Sequence, residues 1–259
     1  MTEPLLRIRN LRVWFPVGAA LFGKPAQLRA VDGVDFDLQA GEALGIVGES
    51  GCGKSTLARA ILRLVPSTAG QIVWMGQSIE GWSTRQVRPL RRDLQIVFQD
   101  PLASLDPRMT VGEIVAEPLR VHAPELSKAE RRERVADILR RVGLSPDVIN
   151  RYPHEFSGGQ CQRIGIARAM VLRPKLLVCD EPVSALDVSI QAQIVNLLQD
   201  LKRDFGMSIL FVSHNLAVVR KLCERVLVLY LGKPMELAPT EMLYSNPRHP
   251  YTRGLLAAV

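Results

Sequence analysis

Residues 48–56 read Gly48-Glu49-Ser50-Gly51-Cys52-Gly53-Lys54-Ser55-Thr56, and this stretch decides the fold. A glycine, four residues and then Gly-Lys-Ser is the pattern of a loop that binds phosphate, when a strand precedes it and a helix follows. The flanking residues predict both, a buried strand over Ala43–Val47 and a helix over 56–64 with its apolar residues on one face. A glycine-rich turn that binds nothing is the alternative, and the flanking pattern disfavours it.

The residue types in this loop fit a nucleotide phosphate. Glycines adopt backbone conformations that other residues resist, so the loop amides can curl around an anion at the helix N-terminus. Lys54 is placed to reach the β- and γ-phosphates, and Ser55 is placed to put its hydroxyl on Mg²⁺. The stretch therefore predicts a site for ATP with Mg²⁺.

Composition indicates an ordinary globular chain. Of 259 residues, 47% are hydrophobic and 23% are charged, and 33 basic against 26 acidic residues leave a net charge of +7. This charge is compatible with a nucleotide, a nucleic acid or an acidic membrane surface. Because the basic residues are scattered and only 5% of residues are aromatic, no nucleic acid partner is expected. The Arg-rich stretch 85–92 is interpreted as a solvated face.

Several other classes are disfavoured. No apolar run approaches the roughly 18–20 residues that span a bilayer. The N-terminus has no basic start before a long apolar segment, so no secretion signal is expected and the chain should remain in the cytosol. The four cysteines show no Cys-x-x-Cys pairing, which argues against a metal cluster or a disulfide framework.

Two alternating segments, 5–15 and 31–38, lie upstream of the buried strand and predict an antiparallel piece joined to a parallel core. Residues 16–25 between them are predicted to form a loop. Phe15 ends the first strand, where its ring can stack on adenine, with an ordinary core position as the alternative.

The next segments predict another strand and then helices. Gln99 directly follows a short strand over 94–98 and precedes a turn at Pro101, so its amide can touch a Mg²⁺ ligand or the attacking water. A merely solvated glutamine is the alternative. From 102 to 151 the pattern is helical, with a capping box at 127–130, and is interpreted as a helical insertion.

A second candidate anion site comprises Ser157-Gly158-Gly159-Gln160 at the start of a helix that is predicted to run to about 172. A plain helix cap is the alternative. A single phosphate group does not need two such anion-binding segments, here called nests. Two nests are explained when ATP is held between two chains, each of which contributes a different face.

Acidic and imidazole side chains follow two further apolar strands. Asp180 ends the run 176–179, where a carboxylate can meet Mg²⁺, and Glu181 is a candidate general base. His214 follows the strand 207–212, where it can hydrogen-bond the γ-phosphate and orient water. Solvated acids and an ordinary loop histidine are the alternatives.

The remaining pattern predicts a helix from about 187 to 205, a hairpin over 226–237, and a short helix from 240 followed by a polar tail.

Taken together, these motifs resemble the nucleotide-binding subunit of ATP-binding-cassette (ABC) transporters. The resemblance rests on 48–56, Ser157–Gln160, Asp180-Glu181, Asp187, Gln99 and His214, in the family's order. It implies an α/β P-loop NTPase (RecA-like) core with an antiparallel β subdomain and an inserted helical subdomain. The chain is then one ATPase domain, with 1–98 and 158–238 as the core, 99–157 as the helical subdomain and 239–259 as a C-terminal tail.

A closer resemblance, to the ATPase subunits of oligopeptide and dipeptide importers, rests on residues 30–34, 97–107 and 246–256. The chain departs from that pattern at Phe156, where Leu is usual, at Cys161, where Arg is frequent, and at Asn215, where Asp often follows the His. No departure removes a catalytic group. Importers of nickel, a glycopeptide or another small solute are the alternatives, followed by a soluble non-transport ABC ATPase.

The resemblance implies a head-to-tail pair of ATPase subunits, with a related but different chain as the second member. The pair would act on two membrane permease subunits at the cytoplasmic face of the inner membrane, with a solute-binding protein as an indirect partner. Phe15 would stack on adenine, while Lys54, Ser55, Gln99, Asp180, Glu181 and His214 would act on ATP in cis. Ser157 and Gly159 would contact the γ-phosphate held by the partner. A thiol reagent on Cys52 is expected to inhibit hydrolysis, with ATP protecting.

Overall fold

The computed structural model describes residues 3–18 and 26–258. Over these residues the strands are β1 Leu6–Val17, β2 Ala26–Leu38, β3 Ala43–Val47, β4 Ala69–Trp74, β5 Gln77–Ser78, β6 Leu94–Val97, β7 Leu176–Asp180, β8 Ser208–Val212, β9 Arg225–Tyr230 and β10 Lys233–Pro239. The α-helices are α1 Lys54–Ile61, α2 Thr84–Val87, α3 Pro101–Ser104, α4 Val111–His122, α5 Lys128–Arg141, α6 Gly158–Met170, α7 Val188–Phe205, α8 Leu216–Leu222, α9 Thr240–Ser245 and α10 Pro250–Ala257.

The chain divides into two compact units. The first comprises the residues up to Val87 together with those from Leu210 onward, and the second comprises Arg88–Ile209. Strand β8 contains the point at which the chain passes from the second unit to the first. The functional division at residues 99 and 157, made from the sequence, stays a prediction.

The first unit contains an antiparallel sheet of four strands in the order β2-β1-β4-β5. Alternate residues of β1, among them Leu6 and Ile8, are buried, while Arg7 and Arg9 between them are partly exposed, as the period of a strand requires. The same unit pairs β3 with β9 in parallel and β9 with β10 as an antiparallel hairpin. All five residues of β3 are buried, as the apolar run predicted.

Several predicted boundaries in the first unit are wrong, among them the start of β2, which is Ala26 rather than 31. Strand β1 continues through Pro16 and Val17, because Pro16 pairs with Gln27 of β2 and Val17 pairs with Ala26. The predicted loop is therefore shorter, and its positions 19–25 lie outside the described residues. Helix α1 begins at Lys54 rather than 56 and ends at Ile61, because Gly53 is its N-cap and Arg63 adopts a left-handed conformation, with φ of 55°.

The second unit combines two parallel strands, β6 and β7, with helices α3 to α7. Helices α4, α5 and α6 each begin with a capping box, at Thr110, Ser127 and Ser157 respectively. The capping box that the sequence predicted at 127–130 is thus confirmed. Helix α7 ends at Phe205, and the next residue, Gly206, caps it with a φ of 62° that suits the glycine that closes a helix.

The predicted polar tail is wrong in part, because residues 250–257 form helix α10. Pro250 stands at its first position, where no N–H is needed, and the Nδ1 atom of His249 accepts a hydrogen bond from the N–H of Tyr251. Local capping chemistry therefore starts a helix in a segment with a weak apolar pattern.

Within the part of the chain that the structure describes, no helix has both the length and the apolar character needed to cross a membrane.

Candidate functional site

The phosphate-binding loop lies so close to two backbone segments that two of its glycines cannot carry a side chain. At Gly48, with φ of 150°, a Cβ would stand 2.2 Å from the carbonyl oxygen of Leu229 in β9. At Gly53, with φ of 106°, a Cβ would stand 2.0 Å from the carbonyl oxygen of Ala30 in β2. The loop conformation therefore requires glycine for two reasons, the positive φ and the close approach.

Lys54 is buried, with 4% of its surface exposed, and its side chain folds back along the loop. Its Nζ atom donates hydrogen bonds of 2.8 Å to the carbonyl oxygens of Gly48 and Glu49. These bonds hold the ammonium group within the loop that the pattern assigns to phosphate. Lys54 and Ser55 are also the first two residues of α1, so both lie at a helix N-terminus, where partial positive charge favours an anion.

Two residues near the end of the chain contact the loop, and the sequence reasoning missed both contacts. The N–H of Gly232, in the β9–β10 turn, donates to the carbonyl oxygen of Cys52 at 2.9 Å. The hydroxyl of Tyr251 accepts from the N–H of Glu49 at 3.3 Å, across 202 positions of sequence. No local signal marks contacts of such separation. Tyr251 was noticed only as part of the tail that carried the family resemblance.

The environment of Cys52 disfavours rapid reaction with thiol reagents, while inhibition by such a reagent, with protection by ATP, stays a prediction. The residue is 4% exposed. Burial raises the pKa of its thiol, and the nearby positive charge of Lys54 offsets only part of that effect. Since the thiolate is the reactive form, slow labelling is expected at neutral pH.

The other two predicted residues of the first unit, Phe15 and His214, lie near the ends of strands. Phe15 is 37% exposed on β1, so the core position that was its alternative is wrong, and stacking on adenine stays a prediction. His214 lies two residues after the end of β8. The N–H of the preceding Ser213 donates to the carbonyl oxygen of Ile46 at 3.1 Å, which places His214 beside the end of β3, where the loop begins. Asn215 caps α8 by accepting a hydrogen bond from the N–H of Val218.

In the second unit, the two predicted acids and Gln99 lie at the carboxyl ends of two strands that pair in parallel. Strands β6 and β7 run parallel, with Val97 paired to Cys179, so the residues that follow each strand lie at a shared carboxyl edge. Asp180 is 1% exposed at the last position of β7. Glu181 adopts a left-handed conformation with φ of 49°, which costs about 1–3 kcal/mol in a residue with a side chain. Such strain is concentrated at functional sites, which favours a role for Glu181.

The Ser157–Gln160 segment forms the N-terminus of α6. Ser157 and Gln160 cap one another, because the serine hydroxyl accepts from the Gln160 N–H at 3.4 Å and the Gln160 side chain accepts from the Ser157 N–H at 3.0 Å. Gly159 lies against α7, since a Cβ there would stand 2.7 Å from the Ile190 side chain. The second unit therefore brings this segment beside the start of α7, where Asp187 is the N-cap. The cap is present, and contact with a partner's γ-phosphate stays a prediction.

The residues predicted to hold Mg²⁺ have suitable chemistry. Ser55, Gln99 and Asp180 offer hydroxyl, amide and carboxylate oxygens, the hard donors that Mg²⁺ accepts alongside phosphate oxygens and water. Among the described residues, no three His, Cys, Asp or Glu side chains form a group that could hold a metal without a nucleotide. Each of the three predicted ligands thus offers an oxygen that suits Mg²⁺.

Comparison with known proteins shows the family to which this chain is similar. The family model described as ABC transporter matches residues 31–184. The "Oligopeptide transport ATP-binding protein OppF" of Escherichia coli (strain K12) is 58% identical over 258 residues, which cover 98% of this chain and 77% of that protein. The "Di/tripeptide transport ATP-binding protein DppF" of Pseudomonas aeruginosa (strain UCBPP-PA14) is 55% identical, with 99% of this chain and 79% of that protein covered.

Among solved structures, the dimeric post-hydrolysis state of the ATP-binding cassette MJ0796 bound to ADP and Pi superimposes with a TM-score of 0.81 and 29% identity. The superposition covers 91% of this chain and 98% of that one. The fold class predicted from the sequence, and the resemblance that implied it, are confirmed.

Proposed function

Because the chain belongs to the ABC transporter family, and is an ATPase of that family, we propose that it energises an importer of oligopeptides or dipeptides. The single observation that supports peptides as the cargo is the 58% identity, over 98% of this chain, with a protein named for oligopeptide transport. The glycine-dependent loop and the folded-back Lys54 support the ATPase.

Each candidate site residue of the first unit has a role in this proposal. Lys54 binds the β- and γ-phosphates, and residues 48–56 surround them with backbone N–H groups. Ser55 supplies a hydroxyl ligand to Mg²⁺. Phe15 offers its exposed ring to adenine. His214 hydrogen-bonds the γ-phosphate and keeps the attacking water in line.

The residues of the second unit complete the chemistry. Asp180 and Gln99 supply further oxygen ligands for Mg²⁺, whose charge lowers the barrier by neutralising the phosphates. Glu181 accepts a proton from the attacking water. Its left-handed backbone is supported by hydrogen bonds from the Ser184 hydroxyl and N–H to the Glu181 carbonyl oxygen.

Two chains assemble head to tail in this proposal, so that Ser157 and Gly159 of one contact the γ-phosphate held by the other, with Asp187 at the same seam. The dimeric form of the superimposed cassette supports this arrangement. The second chain is a related ATPase subunit, and the pair acts on two permease subunits at the cytoplasmic face of the inner membrane. An extracytoplasmic solute-binding protein delivers the peptide.

The hydrolytic part is tested by Glu181→Gln. Turnover of Mg-ATP should fall by about 10²–10⁴-fold, because the proton acceptor is lost, while ATP still binds. The matched control is Glu133→Gln, an exposed glutamate of helix α5 in the same unit, which should hydrolyse ATP as the unmodified protein does. Retained turnover in Glu181→Gln would contradict the role of Glu181.

The cargo is tested by uptake. Cells that lack this chain should lose uptake of a labelled tripeptide, and the unmodified chain should restore it while Glu181→Gln does not. Labelled nickel, measured in the same cells, is the control for the alternative cargo. Loss of nickel uptake with normal tripeptide uptake would overturn the peptide assignment.

A further inference from the structure

We propose that Tyr251, in the C-terminal helix α10, is a positioning residue for the phosphate-binding loop. The contact is direct, since the N–H of Glu49, the second residue of the loop, donates a hydrogen bond of 3.3 Å to the Tyr251 hydroxyl. The inference rests on the proposed function in one respect, that this loop binds the phosphates of ATP.

Tyr251 is held by a contact of its ring and by a hydrogen bond of its backbone. Its face packs on Tyr230, the last residue of β9, with ring centroids 4.4 Å apart and an interplanar angle of 40°. Its backbone N–H donates to His249 Nδ1 at 3.1 Å. Burial raises the pKa of the Tyr251 hydroxyl, so the group stays protonated at neutral pH and offers a neutral acceptor to the loop.

The start of α10 is tied to strand β10. The carboxylate of Glu236 accepts hydrogen bonds of 3.0 Å from the N–H groups of Arg248 and His249. Burial acts to raise the pKa of Glu236, but the hydrogen bonds to its carboxylate and the nearby His249 together outweigh it, so the pKa is lowered and the carboxylate is ionised at neutral pH. The hydroxyl of Tyr251 is thus presented from a fixed helix.

Glu49 links this support to the group that binds phosphate. Its carbonyl oxygen accepts from Lys54 Nζ at 2.8 Å and from the Cys52 N–H at 3.3 Å, while its N–H donates to Tyr251. The residue is therefore bonded on one side to the phosphate-binding lysine and on the other to α10. Without the Tyr251 hydroxyl, the exposed N–H of Glu49 bonds to water, so the fold loses little. The loop loses a restraint that keeps Lys54 in its position for binding phosphate, and this loss of pre-organisation weakens the binding of nucleotide.

The test is Tyr251→Phe in the full chain, which removes the hydroxyl and keeps the ring. The matched control is Tyr244→Phe in helix α9, because the Tyr244 hydroxyl also bonds a backbone group, here as donor to the Leu216 carbonyl oxygen, which lies outside the loop. Competition with a fluorescent ATP analogue measures the Kd for ADP and for ATP, and steady-state hydrolysis measures KM and kcat.

Tyr251→Phe should weaken both nucleotides by about 3–10-fold, as expected for one lost hydrogen bond, and raise KM for ATP equally, with kcat within about twofold. Tyr244→Phe should stay within about twofold of the unmodified protein. A structural defect alone would lower the active fraction, and so kcat, at unchanged KM.

Three outcomes would overturn the inference: an unchanged Kd in Tyr251→Phe, a loss in kcat alone, or equal weakening in Tyr244→Phe. If the unmodified chain binds no ATP or ADP, the proposed function fails with it. If that chain binds both and Tyr251→Phe binds them equally well, only the role of Tyr251 fails.

Discussion

Replacing Gly53 by alanine forces the phosphate-binding loop away from strand β2. The new Cβ would stand 2.0 Å from the carbonyl oxygen of Ala30, and a backbone atom cannot rotate away as a side chain does. The control is Gly51→Ala in the same loop, where φ is 79° and a Cβ meets nothing within 4 Å. A second control outside the loop is Gly41→Ala, where φ is 74° and the space is also open.

The structure separates two contributions to the cost. A left-handed backbone costs about 1–2 kcal/mol in any residue with a Cβ, so all three variants bear this cost. Overpacking adds about 1–3 kcal/mol at Gly53 alone. The free energy of unfolding should therefore fall by about 2–5 kcal/mol in Gly53→Ala and by about 1–2 kcal/mol in each control.

Thermal unfolding followed by circular dichroism measures the difference. At about 2–4 °C per kcal/mol for a chain of this size, Gly53→Ala should melt about 4–20 °C lower than the unmodified protein, and each control about 2–8 °C lower. The Kd for a fluorescent ATP analogue should rise in Gly53→Ala and stay unchanged in Gly41→Ala. If Gly53→Ala and Gly51→Ala have the same melting temperature, the close approach of the loop to β2 does not affect stability and the reasoning is refuted.

Three further predictions follow from the same geometry. Each of the variants Ser157→Ala and Ser127→Ala should lose about 1 kcal/mol of stability, because each serine caps a helix. Only Ser157→Ala should also lose ATPase activity. Equal ATPase activity in the two variants would show that Ser157 is only a helix cap. In a Cys161→Ala background, labelling of Cys52 by a thiol reagent should be slow at pH 7, and its rate should still be rising at pH 9, because the pKa of Cys52 is raised and the thiolate forms only at higher pH. ATP should protect Cys52 from labelling. A labelling rate that levels off below pH 8 would contradict this prediction. Native mass spectrometry of Glu181→Gln with Mg-ATP should show a monomer with ATP bound, because the partner is proposed to be a different chain; a homodimer with two ATP would show that one chain builds both sites.

The first unit shows how much the sequence predicted about the loop. Strand β3 has the predicted bounds, since a short apolar run directly before a glycine-rich turn is typical of a fully buried strand. Helix α1 begins two residues earlier than predicted, because the left-handed Gly53 closes the loop directly before Lys54. A conformation that depends on a contact with Ala30 cannot be read from residues next to it in the chain.

The second unit shows the same limit at its acids. The pattern of an apolar strand followed by Asp180 and Glu181 located both residues correctly at the end of β7. It gave no indication that Glu181 adopts a left-handed conformation, which only neighbouring backbone can impose. The boundaries of β1 were likewise decided by pairing with β2 and not by Pro16.

The sequence by itself determined the family, the order of the motifs and the residue types of the candidate site, because the chemistry of phosphate and Mg²⁺ requires particular groups at short, fixed spacings. The tertiary structure alone decided which distant residues support the loop. Ala30, Leu229, Gly232 and Tyr251 meet residues 48–53 through strand pairing and helix docking, and these contacts join positions up to 202 residues apart. Periodicity and local motifs report on neighbours along the chain, whereas burial, strain and long-range hydrogen bonds depend on neighbours in space.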